Sequence, residues 1–544
     1  MSESRAFSKS IGGFALLLVF AWLAFRKIPD EWDLALFDET ISLYRGLHLD
    51  FFSVSPSDGP LYFVWYKLLS FWEPDPQNLY FLNIMVLGSL CSVLLYSFLL
   101  TATNRVNLSF FIAAGFMVSN ANLPVWPKVS HFTLCILLIG LSAAFRQESM
   151  RHKWYIIAFT ALLSSMARPE FYSAFVLCTV LALAFSIAEL LKFKPAIFGP
   201  GVSPAAALRE FAVFLVPSSI VIYLQGCLYC GQSRGYIAFS QHFAKNHLAK
   251  THSALNPWLS YNKVVHEAFG NAQTVGEALA ANPAAFFGHV FMNVQNLTAK
   301  CFAKVIGLLV PNISPLPAGD SAVAIKAGLI LIVALALFLV HKRFKITFRY
   351  AGNLKKAGPG NLLIVLCLLF PIALSTTIVY PRGHYLVLLT PVFALLAAWL
   401  IGSINIPVVL SQRQTGLALA LWIVLLPGPV WFLSPDLLSR PVLSRVQELR
   451  NLNLQGSRHI LDADGGYAVY LGSNKFWVWD FVKPEPVDAF LAAHQVNTII
   501  VSKNLEESVL VKEGAGWDEF LKGGWQARGF KSYPFSYGYV LVKD

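Results

Sequence analysis

The stretch "LYFLNIMVLGSLCSVLLYSFLLT", residues 79–101, carries no charged side chain and exceeds the roughly 20 residues a helix needs to cross a bilayer. Its reading decides the fold class. Ten further apolar runs lie at 11–25, 108–118, 132–145, 154–166, 171–191, 211–224, 322–340, 362–379, 385–401 and 417–433. Several are short and require flanking residues to reach spanning length. Together they predict a mainly α, polytopic membrane helix bundle of about eleven transmembrane helices. Composition agrees: of 544 residues, 56% are hydrophobic and only 13% charged, against about a quarter charged in soluble proteins. The run at 11–25 follows Arg5 and Lys9 but has no small-x-small cleavage site after it; "RKIPDEWD" follows instead, so it reads as an uncleaved first helix.

The net charge of +12 does not form a basic stripe on a soluble domain, which argues against nucleic acid as a partner. Threading the runs from an inside N-terminus places Arg105, then Arg146, Arg151 and Lys153, then Lys192, Lys194 and Arg209, then "HKRFKITFRYAGNLKK" (341–356), then Arg413 on the cytoplasmic side. Each of these connections is basic, as the positive-inside rule requires. The opposite side receives the loop 27–78, the segment 226–320, the turns "PVWPKVSH" (124–131), "ARPEF" (167–171) and "YPRGHY" (380–385), and the tail.

Two parts are predicted to lie outside the bilayer core. The segment 226–320 shows helical apolar spacing broken by Asn-Pro caps, as in amphipathic helices on a membrane surface. The tail alternates short strands such as "FWVWD" and "TIIVS" with helical patterns such as "EPVDAFLAAHQ", which predicts a small α/β soluble domain on the outer face. The domain division is therefore 1–433, a membrane domain with its outer loops, and 434–544. The seven cysteines show no disulfide or zinc pattern; Cys227 and Cys230 in "CLYC" read as packing residues. His242, His247 and His252 read as surface histidines, because neither their spacing nor a partnering cysteine suits a metal.

On the outer side, acids come from one loop and bases from the turns. "LFDETISLYRGLHLDFFSVSPSDGPLYF" (36–63) offers Asp38, Glu39, His48, Asp50 and Asp58, and the turns offer Lys128, His131, Arg168, Glu170, Arg382, His384 and Tyr385. The apolar pattern of Leu36, Ile41 and Tyr44 suits a juxtamembrane helix, which would aim Asp38 and Glu39 into a groove at the membrane surface. Asp50 and Asp58, beside Pro56, Gly59 and Pro60, read as turn residues. Arginines at membrane helix ends either snorkel to lipid phosphates or bind an anion. A carboxylate paired with a cationic cluster suits group transfer from a phosphate leaving group to a hydroxyl: the carboxylate takes the proton and the cations stabilise the departing charge.

These segments resemble the GT-C type polytopic glycosyltransferases, the protein O-mannosyltransferase and lipid A aminoarabinose transferase relatives. The resemblance rests on "FDETISLYRGLHLDFFSVSPSDGPLYFVWYKLL" (37–69), on "ARPEF", and on "YPRGHYLVLLTPVFALLAAWL" (380–400), where Gly383 and His384 stand between Arg382 and Tyr385. It implies a GT-C-like fold with Asp38 as catalytic base and Glu39 assisting. Arg168 and Arg382 would hold the donor phosphate; Lys128, His131, Glu170, His384, Tyr385 and His48 complete the implied site. The donor would be a polyprenyl-phosphate monosaccharide, attacked with inversion, and the acceptor a glycolipid, a polysaccharide or a protein. The implied setting is a bacterial inner membrane, with the site facing the periplasm. Some relatives use a divalent cation near the acidic loop; Asp38, Glu39 and His48 could supply ligands, but their spacing is no metal signature, and the metal stays open.

Two other classes fit a polytopic chain. A transporter or flippase would carry ionisable or Gly/Pro-broken positions deep in its helices and often an internal repeat; here the charges lie at helix ends and no repeat is evident. A polysaccharide polymerase or ligase would gather its basic residues in one large outer loop.

Overall fold

The structure, a computed structural model, describes residues 2–50, 58–119, 122–123, 125–190, 204–225, 234–253, 255–309, 347–348, 359–405, 440–479, 481 and 483–543. Outside the described residues lie the predicted runs 322–340 and 417–433, Cys227 and Cys230, and the basic connections at Lys192, Lys194, 341–346, 349–356 and Arg413.

The chain is mainly helical, with a small C-terminal sheet. Among the described residues four helices are long and apolar enough to cross a membrane: Ser10–Glu31, Pro76–Thr103, Val129–Arg146 and Gly360–Ile378. Shorter apolar helices cover Val106–Met117, Phe171–Ile187 and Thr390–Trp399. Several helices leave their apolar side chains exposed at helical spacing. Leu362, Leu366, Phe370 and Leu374 form one such stripe, and Val213, Val216, Ile220 and Tyr223 another. Stripes of that kind are costly in water and favourable against lipid, so the chain associates with a membrane.

The described residues fall into two compact units. One takes those of Met1–Ala24, Ser55–Pro60 and Leu87–Phe432. In it Met150–Ser165 packs on Val129–Arg146 and on Phe171–Leu190, which packs in turn on Pro359–Ile378. Gly140 permits the first of these contacts, because a Cβ there would lie 2.0 Å from Thr160 Oγ1. Arg151 and Lys153, predicted as a basic connection, are buried: Arg151 Nη2 meets Glu210 Oε2 at 2.7 Å and Lys153 Nζ donates to Asn361 Oδ1 at 2.8 Å, tying three helices together. The segment predicted as surface helices forms Arg234–Lys250, Pro257–Phe269, Val275–Ala281 and Pro283–Leu309. Asn256 caps the second, accepting from Trp258 N at 2.9 Å. Phe239, Phe243, Phe269 and Phe286 make their common core. A two-stranded antiparallel pair joins β1 (Thr347–Phe348) to β2 (Ile404–Asn405).

The other unit takes the described residues of Phe25–Val54, Leu61–Val86 and Leu433–Asp544. It is therefore larger than the tail: the chain after the first apolar run belongs to it. Its sheet contains β3 (Arg458–Leu461), β4 (Lys475–Val478), β5 (Thr498–Val501), β6 (Phe530–Phe535) and β7 (Gly538–Lys543), in the order β4-β3-β5-β7-β6. The first three are parallel; β7 runs antiparallel to both of its neighbours, β5 and β6. Strand β5 is a short, fully buried apolar run and β3 buries its last two residues; Leu461, Ile499, Val501 and Leu541 pack with Phe490, Trp517 and Phe520 in one core. The predicted α/β character of the tail is observed.

Candidate functional site

In the second unit, the predicted acidic helix forms over Asp38–Leu47. Its buried face is not the one its apolar spacing suggests. Glu39, Leu43 and Gly46 are buried, whereas Leu36, Ile41 and Tyr44 are half-buried. The reason is the Glu39 carboxylate, which is 1% exposed: its Oε1 accepts from Tyr62 Oη at 2.7 Å, from Tyr66 Oη, and from Asn83 Nδ2 at 3.3 Å. A buried carboxylate needs such donors, and two phenols and an amide supply them. Burial and the charge of Glu39 hold both phenols well above their usual range. Glu39 thus anchors the helix, and its neighbour Asp38 is exposed.

The entry to this helix is fastened by the C-terminal part of the chain. Sequence order places β4 on one side of β3 and β5 on the other, so the carboxyl end of β3 is the point at which crossovers diverge, a usual ligand crevice in α/β sheets. Here the crevice holds the chain's own Phe37 and Thr40. Gly465 O accepts from Phe37 N at 2.7 Å and from Thr40 Oγ1 at 2.5 Å. Gly465 and Gly466 take φ of 93° and 110°, and a Cβ on Gly466 would lie 2.7 Å from Thr40 Oγ1. Only glycine meets both requirements, the left-handed backbone and the close approach. Further ties follow. Asp33 accepts from Leu443 N at 2.7 Å and Val442 N at 3.0 Å at the start of Pro441–Asn451, and Tyr470 Oη donates to Ala35 O at 2.5 Å. Within the same turn Asp462 accepts from Asp464 N and Ala468 N, and burial, with the charge of Asp464, pushes its carboxyl up to about 7.

His48, predicted in the site, lies ten residues beyond Asp38, about 15 Å along a helix axis. Its ring lies 5.0 Å from Phe476 at a tilt of 38° and bonds the backbone at Lys475; burial and Lys67 hold it below its ordinary value. Tyr44 bonds the backbone at Trp477. Together they cover the edge strand β4, which would otherwise present unpaired backbone. Asp38, Glu39 and His48 therefore do not converge on a cation, and among the described residues no group of three His, Cys, Asp or Glu side chains does.

In the first unit, the predicted basic residues gather around one turn, 380–385. Arg382 lies 5.0 Å over the Trp258 ring. His384 Nδ1 meets Trp126 O at 3.1 Å, and its ring sits 4.5 Å from Tyr385. Arg168 lies 4.6 Å over Tyr385, donates to Ser130 Oγ at 3.0 Å, and pairs with Glu170 Oε1 through Nε at 2.8 Å. Lys128 and His131 are buried behind this layer. Lys128 Nζ donates to Asn122 O and Leu123 O at 2.9 and 2.8 Å, and His131 Nε2 meets the same Asn122 O at 2.8 Å. Both brace the loop that carries the cis Trp126–Pro127 bond.

The structure adds residues that the sequence reading did not place here. His242, expected at the surface, is 3% exposed, stacks on Tyr380 at 5.0 Å and meets Trp258 edge-on. That expectation is corrected: the apolar spacing of Arg234–Lys250 points His242 inward with Phe239 and Phe243, whereas His247 and His252 are exposed. Lys245 and Lys300 lie 4.6 and 4.9 Å over the Tyr380 ring, and Lys300 Nζ donates to Pro381 O at 2.8 Å. One helical turn on, burial and Lys300 push the Lys304 ammonium down to about 8. Burial, with Arg382 and Lys245, pushes His242 down to about 3, and burial, with Arg168 and Arg382, holds His384 well below its ordinary value. Both imidazoles are neutral hydrogen-bonding groups at neutral pH among Arg168, Lys245, Lys300 and Arg382. Such a cluster attracts an anion that brings oxygen acceptors.

No protein-family model and no curated protein matches the chain.

Proposed function

We propose that the protein is an inverting glycosyltransferase of the membrane that moves a monosaccharide from a polyprenyl-phosphate donor to an acceptor hydroxyl. The observation that carries this reading is the turn 380–385, where four cations and two neutral imidazoles gather on aromatic rings beside apolar helices. A lipid-linked phosphate satisfies both halves of that surroundings: its charge meets Arg382, Arg168, Lys245 and Lys300, and its prenyl chain suits the exposed apolar helices. Asp38 is the base. The acceptor oxygen attacks the anomeric carbon, Asp38 takes its proton, and the bond from that carbon to the phosphate oxygen breaks with the electron pair leaving on the polyprenyl phosphate. The acceptor is a glycolipid, a glycan or a protein. The full arrangement is a GT-C-like bundle of about eleven transmembrane helices in a bacterial inner membrane, with the 434–544 domain and the site on the periplasmic face.

Supporting the enzyme reading over a transporter, the four cations lie outside the candidate spans, Arg168 and Arg382 in turns and Lys245 and Lys300 on the helices Arg234–Lys250 and Pro283–Leu309, and an exposed carboxylate stands at a helix start. The test is equilibrium binding of a polyprenyl monophosphate to the protein in nanodiscs. Arg382→Ala should weaken it tenfold or more. Equal binding by wild type and Arg382→Ala would remove the phosphate role of the turn.

A further inference from the structure

The second unit contains a cavity of about 360 Å³ that the acidic helix and the phosphate site do not explain. Its walls are Tyr44, Phe476, Trp477 and Trp479, with His459 and His494 at the rim. The two indoles stand 5.2 Å apart at 54°, forming an angled corner rather than a packed stack. Trp479 is 40% exposed, and the Arg45 guanidinium lies 5.5 Å over its ring. Register pairs His459 with Phe476 across β3 and β4, and their rings stack at 4.9 Å. His494 and Gln495 follow the Val487–Ala493 helix and add planar polar groups that both donate and accept.

We propose that this cavity binds a saccharide ring. The flat side of a pyranose presents a patch of C–H groups that fits an indole or phenyl face, while its equatorial hydroxyls point outward to meet ring nitrogens and amides. Aromatic walls with a few directional polar groups are what such a ligand selects. Among the described residues the lining carries no lysine, aspartate or glutamate, which suits a neutral sugar. The volume accommodates one hexose or hexosamine ring with room for an attached residue. Tyr44 lies on the helix that begins with Asp38, six residues or about 9 Å further along its axis. Assigning the bound ring to the acceptor glycan, held one or two sugars away from the attacking hydroxyl, rests on the glycosyltransferase reading; binding itself does not.

The experiment is saturation-transfer NMR on the full-length protein in lipid nanodiscs, so that no sugar-headed detergent competes. The probes are the methyl glycosides of glucose, mannose, galactose and N-acetylglucosamine. At least one should receive saturation on its ring C–H protons, and Trp479→Ala and His494→Ala should each weaken it tenfold or more. Asp38→Asn should bind it as wild type does. Binding of no probe, or unchanged binding by both cavity variants, overturns the proposal. Sugar binding without any transfer activity would overturn the enzyme reading alone; transfer activity with no sugar in the cavity would overturn this one alone.

Discussion

Gly466→Ala tests whether the C-terminal turn holds the start of the Asp38–Leu47 helix, which carries the proposed base. The substitution forces a side chain into a backbone with φ 110°, which costs on the order of 1–3 kcal/mol. It also puts a methyl group 2.7 Å from Thr40 Oγ1 and 2.8 Å from its Cβ, and relieving that overlap costs about 1–3 kcal/mol more. Thr40→Val is the milder companion. It deletes the hydroxyl's bonds to Gly465 O and Phe37 O, yet Gly465 O keeps Phe37 N–H and Phe37 O keeps Ile41 N–H, so the loss is about 1–2 kcal/mol. At roughly 2–4 °C per kcal/mol for a unit of this size, Gly466→Ala lowers the melting temperature by about 4–24 °C and Thr40→Val by about 2–8 °C. Tryptophan fluorescence of the full-length protein follows the transition, since Trp477 and Trp517 belong to this unit. Under the proposed function, turnover should fall in Gly466→Ala with the donor KM unchanged, because Gly465 and Gly466 hold the start of the helix that carries Asp38. Melting and turnover equal to wild type in both variants would refute the reasoning.

Asp462 sets a pH dependence with a definite sign. Its folded carboxyl, at about 7, lies above the ordinary 3.8, so the folded chain holds the proton more tightly. Its burial is cost-free below about pH 4, and stability falls as pH rises from about 4 to 7, by at most about 4 kcal/mol. Thermal melts between pH 4.5 and 8 should show this slope in wild type and a shallower one in Asp462→Asn; equal slopes would contradict it. Lys300→Met keeps the aliphatic stem but removes the charge over Tyr380 and the bond to Pro381 O, and should weaken polyprenyl phosphate binding several-fold without moving the melting temperature of the second unit.

The apolar runs and the alternating tail were legible because burial and lipid both write periodicity into neighbouring residues. The helix over Asp38–Leu47 was legible too, but its buried face was not. Apolar spacing ranks Tyr44 and Ile41 above Glu39, and only the distant Tyr62, Tyr66 and Asn83 reverse that order. His242 illustrates the same limit from the other side: its helix was predicted, and its inward direction could have been read from Phe239 and Phe243 at i−3 and i+1. The membership of residues 25–50 in the C-terminal unit depends on contacts such as Asp33 with Leu443 and Phe37 with Gly465. Pairings across that much intervening chain leave no local pattern. That the two glycines of "LDADGGYAVY" (461–470) make room for Thr40 was not legible, because Thr40 lies more than 400 residues away.

The central claim is sugar transfer with Asp38 as base. The direct measurement offers radiolabelled polyprenyl-phosphate monosaccharides to wild-type protein and to Asp38→Asn in nanodiscs containing membrane lipid extract, and follows label leaving the donor for product. Wild type should transfer label, and Asp38→Asn should bind donor normally while transferring about 10²–10⁴-fold more slowly. Transfer at the wild-type rate by Asp38→Asn, or no transfer by wild type from any such donor, would contradict the account.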